Sequence, residues 1–301
     1  MPRHLRVLLL ALAALAPAMI ASGCGGSSGS ASSAIPMAAA ASSAPTSAAV
    51  STSNAVDGAQ STERVDGFKP RTDGVLTVGI DLPNPAYVKG TSVSSLSGGY
   101  EYDLANEVAK RLGIPKVRWV LFPFNALVAG KACPCDFSVG GVSVFPDRQK
   151  VVDFSAPYYT VNQAILVRTG TQVPDLAAAK SLQWGAQKDS SGLYYLDSTL
   201  KPAKKERVYP SFTNALLGLV AKQVEAVIID ANVAEDEAKS KPQLEVVGQF
   251  ATDEKIGAVL AKGSPNTPIL SKVISGMQKD GFLESLVAKY YAAQASSPVL
   301  Q

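Results

Sequence analysis

Asp81, Ser143, Arg148 and Asp230 stand at or just past the ends of short apolar runs, over residues 75–80, 137–144 and 224–229. Ser190 and Ser191 stand just ahead of residues 192–195, which read as early helix. In an α/β protein these are the places beyond strand ends and at helix N-termini where ligands are held. The two serines offer hydroxyls and free backbone N–H groups to an anion. Catalytic types are scarce by comparison. His4 is the only histidine among 301 residues, so a chain that loses its first few residues has none. Ser-His-Asp and Cys-His catalysis, His-ligated zinc and His-based acid–base chemistry then fall away together.

Cys133 and Cys135 flank Pro134. Two thiols without histidine are too few for a structural zinc site. A disulfide between them closes a small ring, and whether they are joined or free stays open at this level. Their plainest role is a local staple in a turn.

The elements that position these groups begin after a distinct leader. Arg3 and Arg6 precede an uncharged apolar run of 15 residues, 7–21, which ends in small residues before Cys24. The run is shorter than the roughly 20 residues of a spanning helix, and a basic, apolar and small-residue order is that of a cleavable secretory signal. The small residues before Cys24 resemble the lipobox of bacterial lipoproteins, with Ala21 in place of the usual leucine. Residues 1–23 are therefore expected to be a signal peptide and Cys24 a lipidated N-terminus. Residues 25–56 hold no Asp, Glu, Lys or Arg and are mostly Ser, Ala and Gly, a composition that cannot build a core. Residues 24–72 are expected to form a flexible tether with a reach of about 35–40 Å.

Removing Arg3 and Arg6 from 28 basic residues leaves 26 against 25 acidic ones, a net charge of +1. No strong field attracts nucleic acid or an anionic membrane, so no nucleic-acid partner is expected. A content of 47% hydrophobic and 18% charged residues supports a buried core and excludes wholesale disorder.

From about Val75 short apolar runs alternate with helical spacing. Residues 75–81 read as a strand, and Leu104, Val108 and Leu112 mark one face of a helix. Further strand-like runs lie at 117–122, 137–144, 164–167 and 224–229, with helical patterns at 212–219 and over Leu270, Val273, Ile274 and Met277. Asn266 starts the last of these, with Pro268 just inside it. The alternation predicts α/β layers with mainly parallel sheets.

Phe145-Pro-Asp-Arg-Gln-Lys-Val-Val-Asp-Phe-Ser-Ala-Pro-Tyr-Tyr159 resembles the Thr-Pro-Glu-Arg … Val-Asp-Phe-Ser … Pro-Tyr signature of the amino-acid-binding family of bacterial solute-binding proteins. Gly99-Tyr-Glu-Tyr-Asp-Leu104, Leu127-Val-Ala-Gly-Lys131 and Val224-Glu-Ala-Val-Ile-Ile-Asp230 match the same family in the same order. The likeness runs from about Val75 to Tyr291. It implies that Arg148 grips the ligand's α-carboxylate, a role suited to a planar fork that makes two charge-assisted bonds. It implies that Gly141 and Ser143 add a backbone N–H or hydroxyl to that carboxylate, and that Asp230 pairs with the α-ammonium or, alternatively, caps the helix after it. Ser190 and Ser191 match the pair that closes over the carboxylate, although Asp189 replaces the usual glycine before them. Asp81 matches a cleft residue at the end of the first strand, with capping as its alternative. Tyr87, Phe122 and Phe124 either stack on the ligand or pack in the core.

The fold implied is two α/β lobes joined by a two-stranded hinge, as in periplasmic binding proteins. Residues 73–162 with 257–295 form the first lobe and residues 163–256 the second. The implied function is an extracytoplasmic receptor that captures an amino acid or similar polar solute and delivers it to an ABC-transporter permease. No cofactor, metal or catalytic residue is expected. The protein is expected to be an exported monomer, anchored through its N-terminal lipid at the outer face of the cell membrane or in the periplasm. A ligand-binding sensor, or a cyclohexadienyl-dehydratase-like enzyme on the same scaffold, is the alternative.

Overall fold

A computed structural model describes residues 64–292 and 297–300. The expected signal peptide, Cys24 and most of the tether lie outside the described residues. Along the first part of the chain run β1 (Val75–Ile80), α1 (Tyr100–Leu112), β2 (Lys116–Leu121), α2 (Phe124–Val128), β3 (Phe137–Ser138), α3 (Pro146–Gln149) and β4 (Val152–Phe154). Then come β5 (Tyr159–Arg168), α4 (Leu176–Ser181), β6 (Trp184–Gln187), α5 (Ser191–Tyr195), β7 (Arg207–Tyr209), α6 (Phe212–Val220), β8 (Ala226–Asp230) and α7 (Ala231–Ser240). The last elements are β9 (Leu244–Ile256), β10 (Val259–Ala261), α8 (Thr267–Lys279) and α9 (Phe282–Tyr291).

These elements form two five-stranded sheets, ordered β2-β1-β3-β10-β4 and β7-β6-β8-β5-β9. Helices α1, α8 and α9 pack together beside the first, and α6 and α7 pack against strands of the second. In α1 the four-residue spacing places Leu104, Val108 and Leu112 in the core, and Gly113 ends the helix with φ 66°.

The expectation of mainly parallel sheets is corrected to mixed ones. β1 pairs parallel with β2 and β3, and β6 with β7 and β8, but β5 runs antiparallel to β8 and β9, and β10 antiparallel to β3 and β4. The reason is the route of the chain. β5 carries it from the first sheet to the second, and β9 brings it back beside β5, paired from Tyr159↔Ile256 to Arg168↔Leu244. A strand that takes the chain back beside the one that brought it over must run the opposite way, so the pair is antiparallel.

Two further expectations change. The apolar run 137–144 yields only the short β3, because Gly140 and Gly141 turn the chain at φ 136° and 66°. Residues 64–72, expected as the end of the tether, are docked. Val65 is buried and donates its amide to Arg111 at 2.9 Å, and Asn266 holds both backbone groups of Lys69 at 2.9 Å. Asn266 precedes α8 as expected, but its side chain serves Lys69 and makes no cap bond. Cys133 and Cys135 are joined as a disulfide. Among the described residues no helix is long and apolar enough to cross a membrane.

Candidate ligand-binding site

A cavity of about 190 Å³ opens between the carboxyl end of β1 and the loops around Arg148 on one side, and β8 with the start of α5 on the other. Of the residues singled out from the sequence, Asp81, Tyr87, Phe124, Gly141 and Arg148 line it from the first lobe. Ser190, Ser191 and Asp230 line it from the second.

Arg148 lies in α3 and is 8% exposed. Its Nη1 donates to the carbonyl of Ser143 at 2.7 Å and its Nη2 to the carbonyl of Asp189 at 2.9 Å, so the guanidinium ties the two lobes together. The rings of Phe124 and Phe145 flank it at 5.5 and 5.1 Å. Burial pushes its pKa down to about 10, against the pull of Glu254, Asp230 and Asp189, so it remains a cation at neutral pH. Both of these acceptors are backbone carbonyls and neither is a carboxylate, which leaves its charge available to an anionic ligand.

Asp230 ends β8, is 6% exposed and makes no side-chain cap bond to α7. Its Oδ2 accepts from the Tyr87 hydroxyl at 2.9 Å and its Oδ1 from Gln163 Nε2 at 2.7 Å. Burial, reinforced by Glu254, raises its pKa above the carboxylate range, while the bonds from Gln163 and Tyr87 and the charge of Arg148 oppose the rise.

Ser190 caps α5, accepting from Leu193 N at 3.1 Å, and Ser191 accepts from Gln163 Nε2 at 3.2 Å. Asp189 before them has φ 62°, a left-handed conformation that explains a preference for glycine there and that Asp tolerates better than most residues. Asp81 lines the cavity and also accepts from Phe124 N at 2.9 Å, at the first residue of α2. Phe124 and Phe122 both pack against Leu127 and Val142, and of the two only Phe124 also lines the cavity.

Two placements depart from the expected roles, and Tyr87 takes the core-packing one of its two. The amide of Gly141 is already engaged: it donates to Glu101 Oε1 at 2.9 Å. Ser143 is not on the cavity wall, and its hydroxyl donates to Glu254 at 2.6 Å. Its contribution is the carbonyl that positions Arg148. Tyr87, 1% exposed, uses its hydroxyl on Asp230.

Sequence reasoning missed Gln163 and Glu101. Gln163 is fully buried and pairs in register with Asp230 across β5 and β8, but the apolar pattern of β5 announces itself only from Ala164. Glu101 lies on α1 with the acidic residues of its first turn, a pattern that reads as helix-dipole complementation.

The architecture, and a related sequence, occur in known proteins. The arginine-binding extracellular protein ArtP of Bacillus subtilis is 28% identical over 210 residues, covering 65% of this chain and 78% of that protein. A solved ancestral arginine-binding protein bound to arginine superposes with a TM-score of 0.63 at 29% identity, over 72% of this chain and 98% of that one. The ancestral amino-acid-binding protein AncCDT-1, described as a precursor of cyclohexadienyl dehydratase, gives 0.62 at 26% identity, over 72% and 95%. Residues 76–293 match the model of the bacterial extracellular solute-binding proteins, family 3, and the chain belongs to that family.

Proposed function

We propose that the protein captures an amino acid between its lobes, with Arg148 on the α-carboxylate and Asp230 on the α-ammonium, and delivers it to an ABC-transporter permease. The observation that carries this reading is that a buried cation and a buried acid, from different lobes, face one cavity. A zwitterion satisfies both charges and bridges the lobes, so its binding favours their closed arrangement. Ser190 and Ser191 supply hydroxyls from the second lobe, and Phe124 supplies an apolar face.

The ligand carries a second positive charge. Arg148 and Asp230 balance a zwitterion, and Asp81 then remains as an extra acid on the wall. Arginine-binding relatives agree with a cationic amino acid. The lobes divide between Asn162 and Gln163 and between Ile256 and Gly257, next to the irregularity in the β5–β9 ladder at 161–163. In this reading a monomeric receptor is lipidated at Cys24 and works at the outer face of the membrane or in the periplasm, as its export-signal-like leader and its family support.

Capture needs no covalent step. The raised pKa of Asp230 and the likeness to AncCDT-1 give an enzymatic reading one point of support each, and product formation on prolonged incubation with a cyclohexadienyl substrate tests it. The binding reading is tested by thermal shift on protein unfolded and refolded to remove carried-over ligand. Ligand at about 100 times its dissociation constant adds about 2.7 kcal/mol, a rise of about 5–11 °C for a domain of this size.

A further inference from the structure

We propose that Glu101 is a positioning residue for ligand capture, holding the Gly140–Gly141 wall of the cavity to Tyr158, at the entry to the interlobe strand β5, through one buried oxygen. The inference rests on the amino-acid reading of the cavity.

Gly140 and Gly141 line the cavity with φ values that side chains rarely adopt, and they carry no side chain to fix their place. Their position is set by what their amides bond to. Both donate to Glu101 Oε1, at 3.0 and 2.9 Å, and the Tyr158 hydroxyl donates to the same oxygen at 2.5 Å. The other oxygen, Oε2, is buried without a hydrogen-bond partner. A fully buried carboxyl with three donors on one oxygen and none on the other is a costly anchor, and such unsatisfied groups call for an explanation beyond packing.

The wall leads to both charges of the clamp. Two residues after Gly141, the Ser143 carbonyl accepts from Arg148 Nη1 at 2.7 Å. On its other side Gly141 abuts the ring of Tyr87, whose hydroxyl holds Asp230. Movement of the wall therefore shifts an acceptor of Arg148 and a donor to Asp230 together, and Tyr158 links that movement to the strand that joins the lobes.

The titratable groups facing Glu101 are the phenols of Tyr158, of Tyr100 on its own helix, of Tyr87 beyond β1 and of Tyr291 on α9, all raised by burial and by the Glu101 charge. Burial pushes Glu101 itself up to about 7, against the bonds from Tyr158, Gly141 and Gly140. Its proton is therefore exchanged near neutrality while the phenols stay neutral, and ionisation strengthens all three bonds.

The test follows the Gly140 and Gly141 amide resonances by NMR from about pH 5.5 to 8.5, in the wild type and in Glu101→Gln, whose amide oxygen still accepts but cannot titrate. L-Arginine affinity is measured in parallel, with Glu101→Leu as the variant lacking an acceptor. Both amides are expected to follow one titration curve in the wild type and to stay flat in Glu101→Gln. Glu101→Gln is expected to bind within about threefold of wild type, and folded Glu101→Leu at least about tenfold more weakly. Amide shifts that persist in Glu101→Gln, or wild-type affinity in Glu101→Leu, would overturn the assignment. If Glu101→Leu does not fold, the amide titration decides. Failure of the wild type to bind any amino acid would contradict the reading of the cavity instead, because the amide titration needs no ligand.

Discussion

The phenol of Tyr87, in the first lobe, donates to Oδ2 of Asp230, in the second, at 2.9 Å. With Gln163 on Oδ1 at 2.7 Å, this bond fixes the plane of the one buried acid that faces Arg148 across the cavity. The acid is oriented before any ligand arrives, so less ordering remains to oppose binding.

Tyr87→Phe removes that donor and keeps the ring. Loss of one hydrogen bond to a buried carboxyl is expected to lower stability by about 1–3 kcal/mol, and with it the melting temperature. The variant also loses a bond that lowers the Asp230 pKa, so its ligand affinity should fail at a higher pH than in the wild type. Calorimetric titrations at several pH values check both effects together with a melting curve.

Arg148→Lys keeps the charge and loses the planar fork that reaches Ser143 and Asp189. Affinity is expected to fall at least about tenfold, and Arg148→Ala is expected to abolish binding while circular dichroism shows an intact fold. Equal affinity in Arg148→Lys would show that position 148 acts as a point charge only.

Acidity enters with a definite sign. Glu101 and Asp230 are both raised in the folded state by burial. Their contribution to stability is fullest below the ordinary carboxylate pKa and is lost as pH rises towards about 7. The melting temperature is therefore expected to decline between about pH 4 and 7, and less steeply in Glu101→Gln. Ligand binding has the opposite slope, because an ammonium needs Asp230 ionised: affinity is expected to weaken on acidification, by up to about tenfold per pH unit.

Much of this arrangement is legible in the sequence. Arg148 sits in a long collinear motif, Asp230 ends a clear apolar run, and the spacing of Leu104, Val108 and Leu112 yields α1 with its buried face. What escaped depends on contacts between distant segments. Gln163 matters because β5 pairs antiparallel with β8 and sets it opposite Asp230, a register that no local pattern encodes. The resemblance sets the Ser143 hydroxyl on the ligand carboxylate, yet Glu254, from the far end of β9, takes it. Glu101 gains its role only because the Gly140–Gly141 turn, some 40 residues away in sequence, folds back onto it. The mixed sheets escaped for the same reason, since strand direction follows the route of the chain between lobes.

Gly141→Ala probes the same wall sterically. A Cβ there would lie 2.6 Å from the Tyr87 ring, at a backbone φ of 66°. The substitution is expected to cost about 1–3 kcal/mol and to weaken binding, because the ring that holds Asp230 must move. Thermal melting with and without ligand separates the two effects.

The clamp itself is tested most directly by calorimetric titration of ligand-stripped protein with L-arginine and with agmatine, the same molecule without its carboxylate. The charges of Arg148 and Asp230 predict that L-arginine binds, that agmatine is at least about a hundredfold weaker, and that Arg148→Ala removes the binding of L-arginine. Agmatine binding as tightly as L-arginine, or discrimination that survives in Arg148→Ala, would contradict the placement of the carboxylate on Arg148.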